Sequence, residues 1–256
     1  MKGHIPKSQL IMGIHTLQHL LAHAPERLVH VFAEQSVGKG RKSELIDLCH
    51  KRKIPVSLLS FDALTHMVTS DSHQSFVAQV RPRECVALKD FLKNSEEKET
   101  GLVLMLDQIF DPQNFGALLR CAECFGVDAV VFSKNRGADL TPVVAKTSCG
   151  ASEIVPLIPV SNLADAVLHF QEAGFEAVAT TLEAPSENLY ETKFGMKTLL
   201  ILGSEGEGIQ PLIQKRADRR VYLPMRGKID SLNVAQACSV LLFAVGFAPT
   251  IRTTSL

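Results

Sequence analysis

Residues 199–209 read LLILGSEGEGI, and residues 222–235 read YLPMRGKIDSLNVA. In each segment an apolar run typical of a strand enters a polar loop that contains glycine, and a helical pattern follows the loop. Open α/β sheets bind ligands at such joints, where parallel strands end. Two joints close together in sequence therefore predict two walls of one pocket. Residues 111–120, DPQNFGALLR, predict a third wall.

The second part of the chain alternates between strand and helix patterns. Near-continuous apolar runs such as LVLML at 102–106 predict a sheet that is buried on both faces. This pattern predicts a doubly wound parallel α/β domain. The predicted strands are 102–107, 128–133, 154–158, 176–181, 198–203 and 219–224, and the predicted helices are 112–125, 141–148, 161–173, 209–216 and 233–247.

The first part of the chain predicts a separate small α/β domain. The stretch 94–100 is polar and lacks apolar periodicity, as is typical of a linker. We therefore divide the chain into a domain at 1–84, a linker at 85–100 and a domain at 101–256. The predicted N-terminal helices cover 8–24, 45–49 with Ser43 as cap, and 61–68 with Ser60 as cap, and the predicted strands cover 28–32, 54–59 and 73–80.

The formal net charge of zero hides an asymmetry. Residues 1–84 carry 11 Lys+Arg and 7 Asp+Glu, hence +4, and the remainder carries 16 and 20, hence −4. A basic N-terminal domain predicts contact with a polyanion, although a solvated lysine-rich face is the plainer alternative.

The longest apolar stretch, 239–249, is shorter than the ~20 residues that span a bilayer. We expect no membrane segment and a cytoplasmic location, since the N-terminus also lacks the apolar core of a signal peptide.

Cysteine usage indicates reduced thiols, as expected in the cytoplasm. Cys121 and Cys124 form a C-x-x-C pair within a helical pattern, without a second ligand pair at zinc spacing. Buried helical cysteines are therefore favoured over a metal or redox site.

The segment 111–120 begins as helices often do, with a carboxylate cap, Asp111, followed by proline. Gly116 weakens a helix by about 1 kcal/mol relative to alanine, so a close approach is expected there. Arg120 lies one turn further on the same face, together with Gly116. If Arg120 faces the core, its buried charge needs an anionic partner. The alternative is that Arg120 lies on the surface of the helix.

The two later loops carry the remaining candidates. Gly203, Gly206 and Gly208 predict positive φ angles and open backbone amides. Glu205 faces either a ligand or the following helix, whereas Glu207 is expected in solvent. Ser231 or Asn233 is the expected cap of the last helix. The side chains of Leu223 and Leu232 would contact a flat ring, with ordinary core packing as the alternative.

The usual nucleotide fingerprints are missing from these loops. The glycines at 203, 206 and 208 do not have dinucleotide-binding spacing, and GKI at 227–229 lacks the Ser/Thr of a P-loop. An oxidoreductase that uses NAD, or an NTPase, is accordingly disfavoured.

Three motifs resemble those of the SpoU (TrmH-type) RNA ribose methyltransferases of the SPOUT class. They are NxGAxxR at 114–120, LGSEGxG at 202–208, and LPM at 223–225 with SLNVA at 231–235. The N-terminal domain is similar to the L30e-like RNA substrate-binding domain of some members, through Gly13-Ile14-His15 and His73-Gln74. Ser75 departs from the glycine that often follows His-Gln there, and Arg226 and Lys228 make the third loop more basic than usual.

The resemblance implies methyl transfer from S-adenosylmethionine to a ribose 2′-hydroxyl of RNA, most similar to the branch that acts on a guanosine of 23S ribosomal RNA. It also implies a trefoil knot, a homodimer and chemistry that needs no metal. A transfer RNA substrate, or a non-catalytic RNA-binding role in ribosome assembly, are the alternatives. By resemblance the catalytic positions are Asn114, Arg120, Glu205, Ser231 and Asn233, and the cofactor positions are Thr180, Thr181, Leu202, Gly203, Leu223, Met225 and Leu232.

Overall fold

The computed structural model of the protein describes residues 9–36, 40–183 and 185–253. By its internal contacts the chain forms two compact units. The first consists of Met1–Glu84 with Asp139–Ile154, and the second of Cys85–Ala138 with Val155–Leu256. Within the described ranges, we find no helix that is both long and apolar enough to cross a membrane.

The first unit is built on a four-stranded mixed sheet in the order β1-β4-β2-β3. Strand β4 is antiparallel to both neighbours, and β2 and β3 are parallel. Its elements up to residue 80 are β1 Gln9–Met12, α1 Ile14–His23, β2 Leu28–Glu34, α2 Arg41–Lys51, β3 Val56–Leu59, α3 Phe61–Val68 and β4 Phe76–Val80. The prediction of a small α/β domain is confirmed for this region.

Two local predictions in this unit are wrong. The predicted helix at 8–24 begins only at Ile14, because Gln9–Met12 pairs with β4 and Gly13, at φ 103°, turns the chain between strand and helix. Ser43 is not the cap of α2: the cap is Gly40, whose amide donates to the Ser43 hydroxyl. The predicted cap at Ser60 is confirmed, since its hydroxyl accepts from the amide of Ala63.

The second unit contains a seven-stranded sheet in the order β7-β6-β5-β10-β8-β11-β9, and all its pairs are parallel. The predicted parallel α/β domain is therefore confirmed. The remaining elements of the chain are α4 Leu88–Ser95, β5 Gly101–Leu106, α5 Pro112–Cys124, β6 Ala129–Ser133, α6 Pro142–Thr147, β7 Leu157–Val160, α7 Leu163–Glu172, β8 Glu176–Thr180, β9 Glu187–Asn188, β10 Lys197–Leu202, α8 Pro211–Arg216, β11 Arg219–Tyr222 and α9 Val234–Thr253. The sequence did not predict α4, which lies inside the predicted linker, or the short edge strand β9.

Helices cover both faces of this sheet. Val103 and Met105 of β5 belong to a buried cluster with side chains of α7 and α8 on one face. On the other face, α5 packs on β6, where the rings of Phe115 and Phe132 are 5.3 Å apart, and α9 packs on β10. Burial on both faces explains why the central strands are apolar along their whole length.

Residues 139–154, with α6 and a 3₁₀ turn at Ala151–Glu153, pack within the first unit. The Thr16 hydroxyl donates to the carbonyl of Ala145 at 2.8 Å, and Ala145 is buried in the same cluster as Leu17. The predicted helix at 141–148 is thus present as α6. Its contacts are with α1 and β1.

The connections of the large sheet reverse direction between β5 and β10. From β5 the chain continues to β6, and from β10 it continues to β11 on the other side. Such a reversal opens a crevice beyond the carboxyl ends of the two strands, which is where open α/β sheets bind ligands.

Candidate active site

A buried carboxylate joins the two loops at this crevice. Asp107 follows β5 directly and is fully buried. Its carboxylate accepts from the amide and from the side-chain Nε2 of Gln210, both at 2.7 Å. The loop after β10 is thereby tied to the loop after β5. Sequence reasoning missed both residues, although an acidic residue directly after a buried strand was the available signal.

The loop after β10 closes on itself. The amide of Ser204 donates to the carbonyl of Gly208 at 3.1 Å, and the amide of Gly208 donates back at 3.0 Å. Positive φ angles occur at Gly206 (91°) and Gly208 (68°), as predicted. The same prediction is wrong for Gly203, whose role is steric: a Cβ there would lie 2.1 Å from the carbonyl of Gly208.

Three polar side chains from three segments meet beside this loop. Asn233 Nδ2 donates to Glu205 Oε1 at 2.7 Å and to Asn114 Oδ1 at 2.9 Å. Asn114 Nδ2 donates to the same Glu205 oxygen at 3.3 Å. These residues come from motifs that are separated by 91 and 28 positions in the sequence. We call Asn114, Glu205 and Asn233 the polar triad.

The triad also forms the beginning of α9. Asn233 Oδ1 accepts from the amide of Ala235 at 3.0 Å, and Glu205 Oε1 accepts from the amide of Val234 at 3.1 Å. Of the two predicted caps, Asn233 therefore caps α9. Ser231 is exposed, and its hydroxyl donates to Asp230 at 3.2 Å. The Glu205 carboxylate points to α9 instead of to α8, the helix that follows its loop.

Helix α5 starts as predicted and carries Arg120 on its outer surface. The Asp111 carboxylate accepts from the amides of Gln113 and Asn114 at 3.0 and 3.3 Å. Gly116 is buried, but Arg120 is exposed, and within the described ranges it has no hydrogen bond or ion pair. An inward-facing Arg120 is thus excluded, and the alternative of a surface arginine is confirmed for this chain.

The predicted cofactor positions lie at the carboxyl ends of β8, β10 and β11. The Thr180 hydroxyl donates to the carbonyl of Ile201 at 3.1 Å, and the amide of Thr181 donates to the carbonyl of Val221 at 2.9 Å. Leu202 is buried and Leu232 is exposed. The other three predicted cofactor residues, Gly203, Leu223 and Met225, are half-buried. Aliphatic side chains, two hydroxyls and loop backbone fit an uncharged adenine and ribose.

In the first unit, the segments Gly13-Ile14-His15 and His73-Gln74, on which the resemblance of this domain rests, are in contact. Gln74 Oε1 accepts from the amide of Ile14 at 3.1 Å, next to Gly13. The buried ring of His73 accepts from the amide of Ser75 at 3.2 Å. Ser75 has φ 71°, a left-handed conformation that explains why glycine is usual there.

Side-chain bonds hold Ser75 in this conformation. Its hydroxyl donates to Glu34 at 2.6 Å and accepts from Lys42 at 2.7 Å. The hydroxyls of Ser36 and Ser75 lower the pKa of the Glu34 carboxyl, because they donate to its charged form.

The C-x-x-C pair separates into two kinds of thiol. Hydrogen bonding from Cys238 and from Ser239, helped by the charge of Arg120, lowers the pKa of Cys121 to about 6. Desolvation and the charge of Glu123 raise the pKa of Cys124. The prediction of two buried cysteines is wrong, since Cys124 is exposed and Cys121 is half-buried. The described residues contain no group of three side chains suited to hold a metal ion.

An all-parallel sheet whose switch point gathers three loop segments defines an α/β domain with a ligand site at the ends of its strands. Residues 101–243 match the model of the SpoU rRNA Methylase family. Residues 10–85 match the model described as RNA 2'-O ribose methyltransferase substrate binding. The chain therefore belongs to the SpoU rRNA Methylase family, as the sequence motifs predicted.

Relatives of nearly equal length support this assignment. The chain is 34% identical over 238 residues to the 23S rRNA (guanosine-2'-O-)-methyltransferase RlmB of Haemophilus ducreyi, covering 93% of this chain and 97% of that protein. It is 36% identical over 236 residues to RlmB of Escherichia coli, covering 92% and 97%. The SpoU methyltransferase AviRb of Streptomyces viridochromogenes, solved in complex with the cofactor AdoMet, shares the fold with a TM-score of 0.76 and 21% identity, covering 97% of this chain and 92% of that one.

Proposed function

We propose that this protein transfers a methyl group from S-adenosylmethionine to the ribose 2′-hydroxyl of a guanosine in 23S ribosomal RNA. The observation that carries the proposal is the polar triad, which joins the three motif segments at the switch point of the sheet. The names of the two RlmB relatives supply the substrate, and the AviRb complex supplies the cofactor.

The cofactor would lie against the ends of β8, β10 and β11. Leu202, Gly203, Leu223, Met225 and Leu232 would hold its adenine and ribose, with Thr180 and Thr181 at the edge of the pocket. When bound, S-adenosylmethionine supplies a methyl group that its sulfonium already activates, so the transfer needs no Lewis acid. The chain has to bring the 2′-oxygen into line with the S–CH₃ bond.

Arg120 is the residue of this site that is best placed to contact RNA. Its guanidinium is exposed and has no hydrogen bond or ion pair among the described residues. Arginine stays protonated at any physiological pH, and its planar donors suit a phosphate. We assign Arg120 to a phosphate of the RNA next to the target ribose. Asn233, Asn114 and Glu205 hold the loops around the ribose, and Ser231 shapes the same edge.

The first unit would hold the RNA. Residues 1–84 carry the excess of basic side chains. In this unit, Lys42 of α2 donates to the hydroxyl of Ser75, which places a positive charge next to the Ser75 loop. An enzyme that acts on ribosomal RNA works in the cytoplasm, which is our proposed location.

We further propose a homodimer formed through the outer surfaces of α5 and α9, with the knotted topology that the motifs imply. Val240 and Phe243 lie one turn apart on α9 and are 39% and 49% exposed. In the proposed dimer this apolar pair would be covered by the partner. Because α5 packs against α9, a partner on this surface would come close to Arg120.

Mapping of 2′-O-methyl groups in total RNA from a deletion strain tests the function. We expect one guanosine of 23S RNA to lose its methyl group, and a plasmid with the wild-type chain to restore it. Loss of a methyl group from a transfer RNA instead would establish the transfer RNA alternative. An unchanged methylation map, with no labelled-methyl transfer in vitro, would establish the non-catalytic role.

A further inference from the structure

A groove of about 490 Å³ lies beyond the carboxyl ends of β6 and β7, outside the predicted cofactor and catalytic positions. Its volume falls in the range of small-ligand sites, about 300–1,000 Å³. The residues with polar side chains that line it are Ser133, Asn135, Arg136, Ser161, Asn162 and Gln210. Leu212, which is 52% exposed, and the buried Ile213 form an apolar wall.

The charge of this groove favours an anion. Arg136 is exposed and donates to Gln210 Oε1 at 3.3 Å, and among the described lining residues there is no carboxylate. Two carboxylates bond to lining residues but do not themselves line the groove. Asp107 accepts twice from Gln210, and Asp165 pairs with Arg216 at 2.8 Å. The guanidinium of Arg136 is thus the one formal charge on the described lining of the groove.

The loop that carries Arg136 is held in place. The Ser133 hydroxyl accepts from the amides of Asn135 and Arg136 at 3.3 and 3.1 Å. At the opposite side, Asn162 donates to Asp165 at 2.6 Å. The side-chain amides of Asn162 and Gln210 are bonded within the protein, which leaves the amide of Asn135 to hydrogen-bond an unstacked RNA base.

The position of the groove relates it to the active site. Along the carboxyl edge of the sheet, β7 and β6 precede the β5–β10 crevice, and the cofactor positions follow on β8 and β11. With strands about 4.8 Å apart, the groove lies about 10 Å from the crevice. Gln210 borders the groove and holds Asp107 in the crevice. A single strand of RNA with its target ribose in the crevice would reach the groove with a neighbouring nucleotide.

We infer that this groove binds a nucleotide of the RNA substrate that flanks the methylated one, with its phosphate on Arg136 and its base against Leu212. This inference rests on the proposed function for its substrate. It assigns a binding role to the β6–α6 loop, which lies outside the three motifs.

Binding of unmodified 23S RNA transcript to the full chain tests the inference, measured by filter retention across a salt series. For Arg136→Ala we expect about tenfold weaker RNA binding, and a slope of log K against log[salt] that is smaller by about 1, because one phosphate contact is lost. S-adenosylmethionine affinity and the rate at saturating RNA should stay at wild-type values. Arg136→Lys should restore the slope, because it keeps the charge.

The matched control is Lys93→Ala, which removes an exposed cation of α4 in the same unit that does not line the groove. It should leave RNA binding unchanged. If Arg136→Ala binds RNA with the wild-type constant and slope, or if Lys93→Ala weakens binding equally, the groove is not a nucleotide site. Should the wild-type chain transfer no methyl group to 23S RNA, the proposed function fails, and the binding series still decides on the groove.

Discussion

The polar triad and Arg120 belong to the same motifs, but their surroundings are opposite. In the triad, Glu205 Oε1 accepts from both asparagines and from the start of α9, so this oxygen is bonded within the protein. Arg120 is exposed and has no hydrogen bond or ion pair among the described residues, although its charge acts on the Cys121 thiol. In the proposed function this difference separates two tasks: the triad holds the loops together, and Arg120 contacts the substrate.

The strongest test of this division is Arg120→Ala. Because the side chain has no hydrogen bond or ion pair among the described residues, we expect the thermal midpoint and S-adenosylmethionine affinity to stay close to wild type. Methyl transfer to 23S RNA should fall by roughly 10²-fold, because loss of the phosphate contact leaves the target ribose misplaced. Glu123→Ala, at another exposed position of α5, is the matched control for labelled-methyl assays. Equal activity of the Arg120→Ala variant would show that Arg120 has no part in catalysis.

The next largest effect is expected for Gly203→Ala. The added Cβ would lie 2.1 Å from the Gly208 carbonyl, so the closed loop after β10 has to open. We expect S-adenosylmethionine affinity to fall by at least tenfold, or about 1.4 kcal/mol, in calorimetry. Gly227→Ala is the control, because the nearest atom to its Cβ is 3.9 Å away. Wild-type affinity in the Gly203 variant would show that the cofactor does not depend on this loop.

Glu205→Ala should weaken both structure and activity, in contrast to Arg120→Ala. The amide of Val234 loses its acceptor, and a lost cap costs about 1 kcal/mol. The thermal midpoint should fall by roughly 2–4 °C. Glu205→Gln, which keeps one acceptor oxygen, should recover most of this loss. A Glu205→Ala variant with full stability but no activity would place Glu205 with Arg120 as a substrate contact.

The smallest effect concerns the thiol beside Arg120. With its pKa lowered to about 6, Cys121 is mostly thiolate at pH 7, and its alkylation rate should level off above that pH. The pKa of Cys124 is raised, so its rate should keep increasing through pH 9. Peptide mapping after iodoacetamide treatment measures both. Identical pH profiles would contradict the described contacts of Cys121 with Cys238 and Ser239.

Much of the fold could be predicted from sequence because the second unit is regular. Apolar runs of five or six residues, bounded by polar loops, favour strands buried on both faces, and helices alternate with them. The errors came where local chemistry was ambiguous. Gln9–Met12 continues the apolar pattern of α1, and only its pairing with β4 makes it a strand. Edge strand β9 has two residues, too few to carry a pattern.

The residues of the site could be predicted from the motifs, but the orientation of their side chains and their contacts could not. Helix starts such as Asp111 are local and could be predicted. The orientation of Glu205 depends on α9, and the outward direction of Arg120 depends on which face of α5 packs on the sheet. The bond between Asp107 and Gln210 joins residues 103 positions apart, and no local pattern contains it.

The most direct test of the central claim is labelled-methyl transfer to 23S RNA in which the mapped target guanosine is replaced by 2′-deoxyguanosine. The proposed chemistry needs the 2′-oxygen as acceptor, so we predict incorporation only into RNA that carries the ribose at that position. The same substitution at a neighbouring guanosine should leave incorporation unchanged. Transfer of label to the deoxy-substituted RNA at the wild-type rate would contradict ribose 2′-O-methylation by this protein.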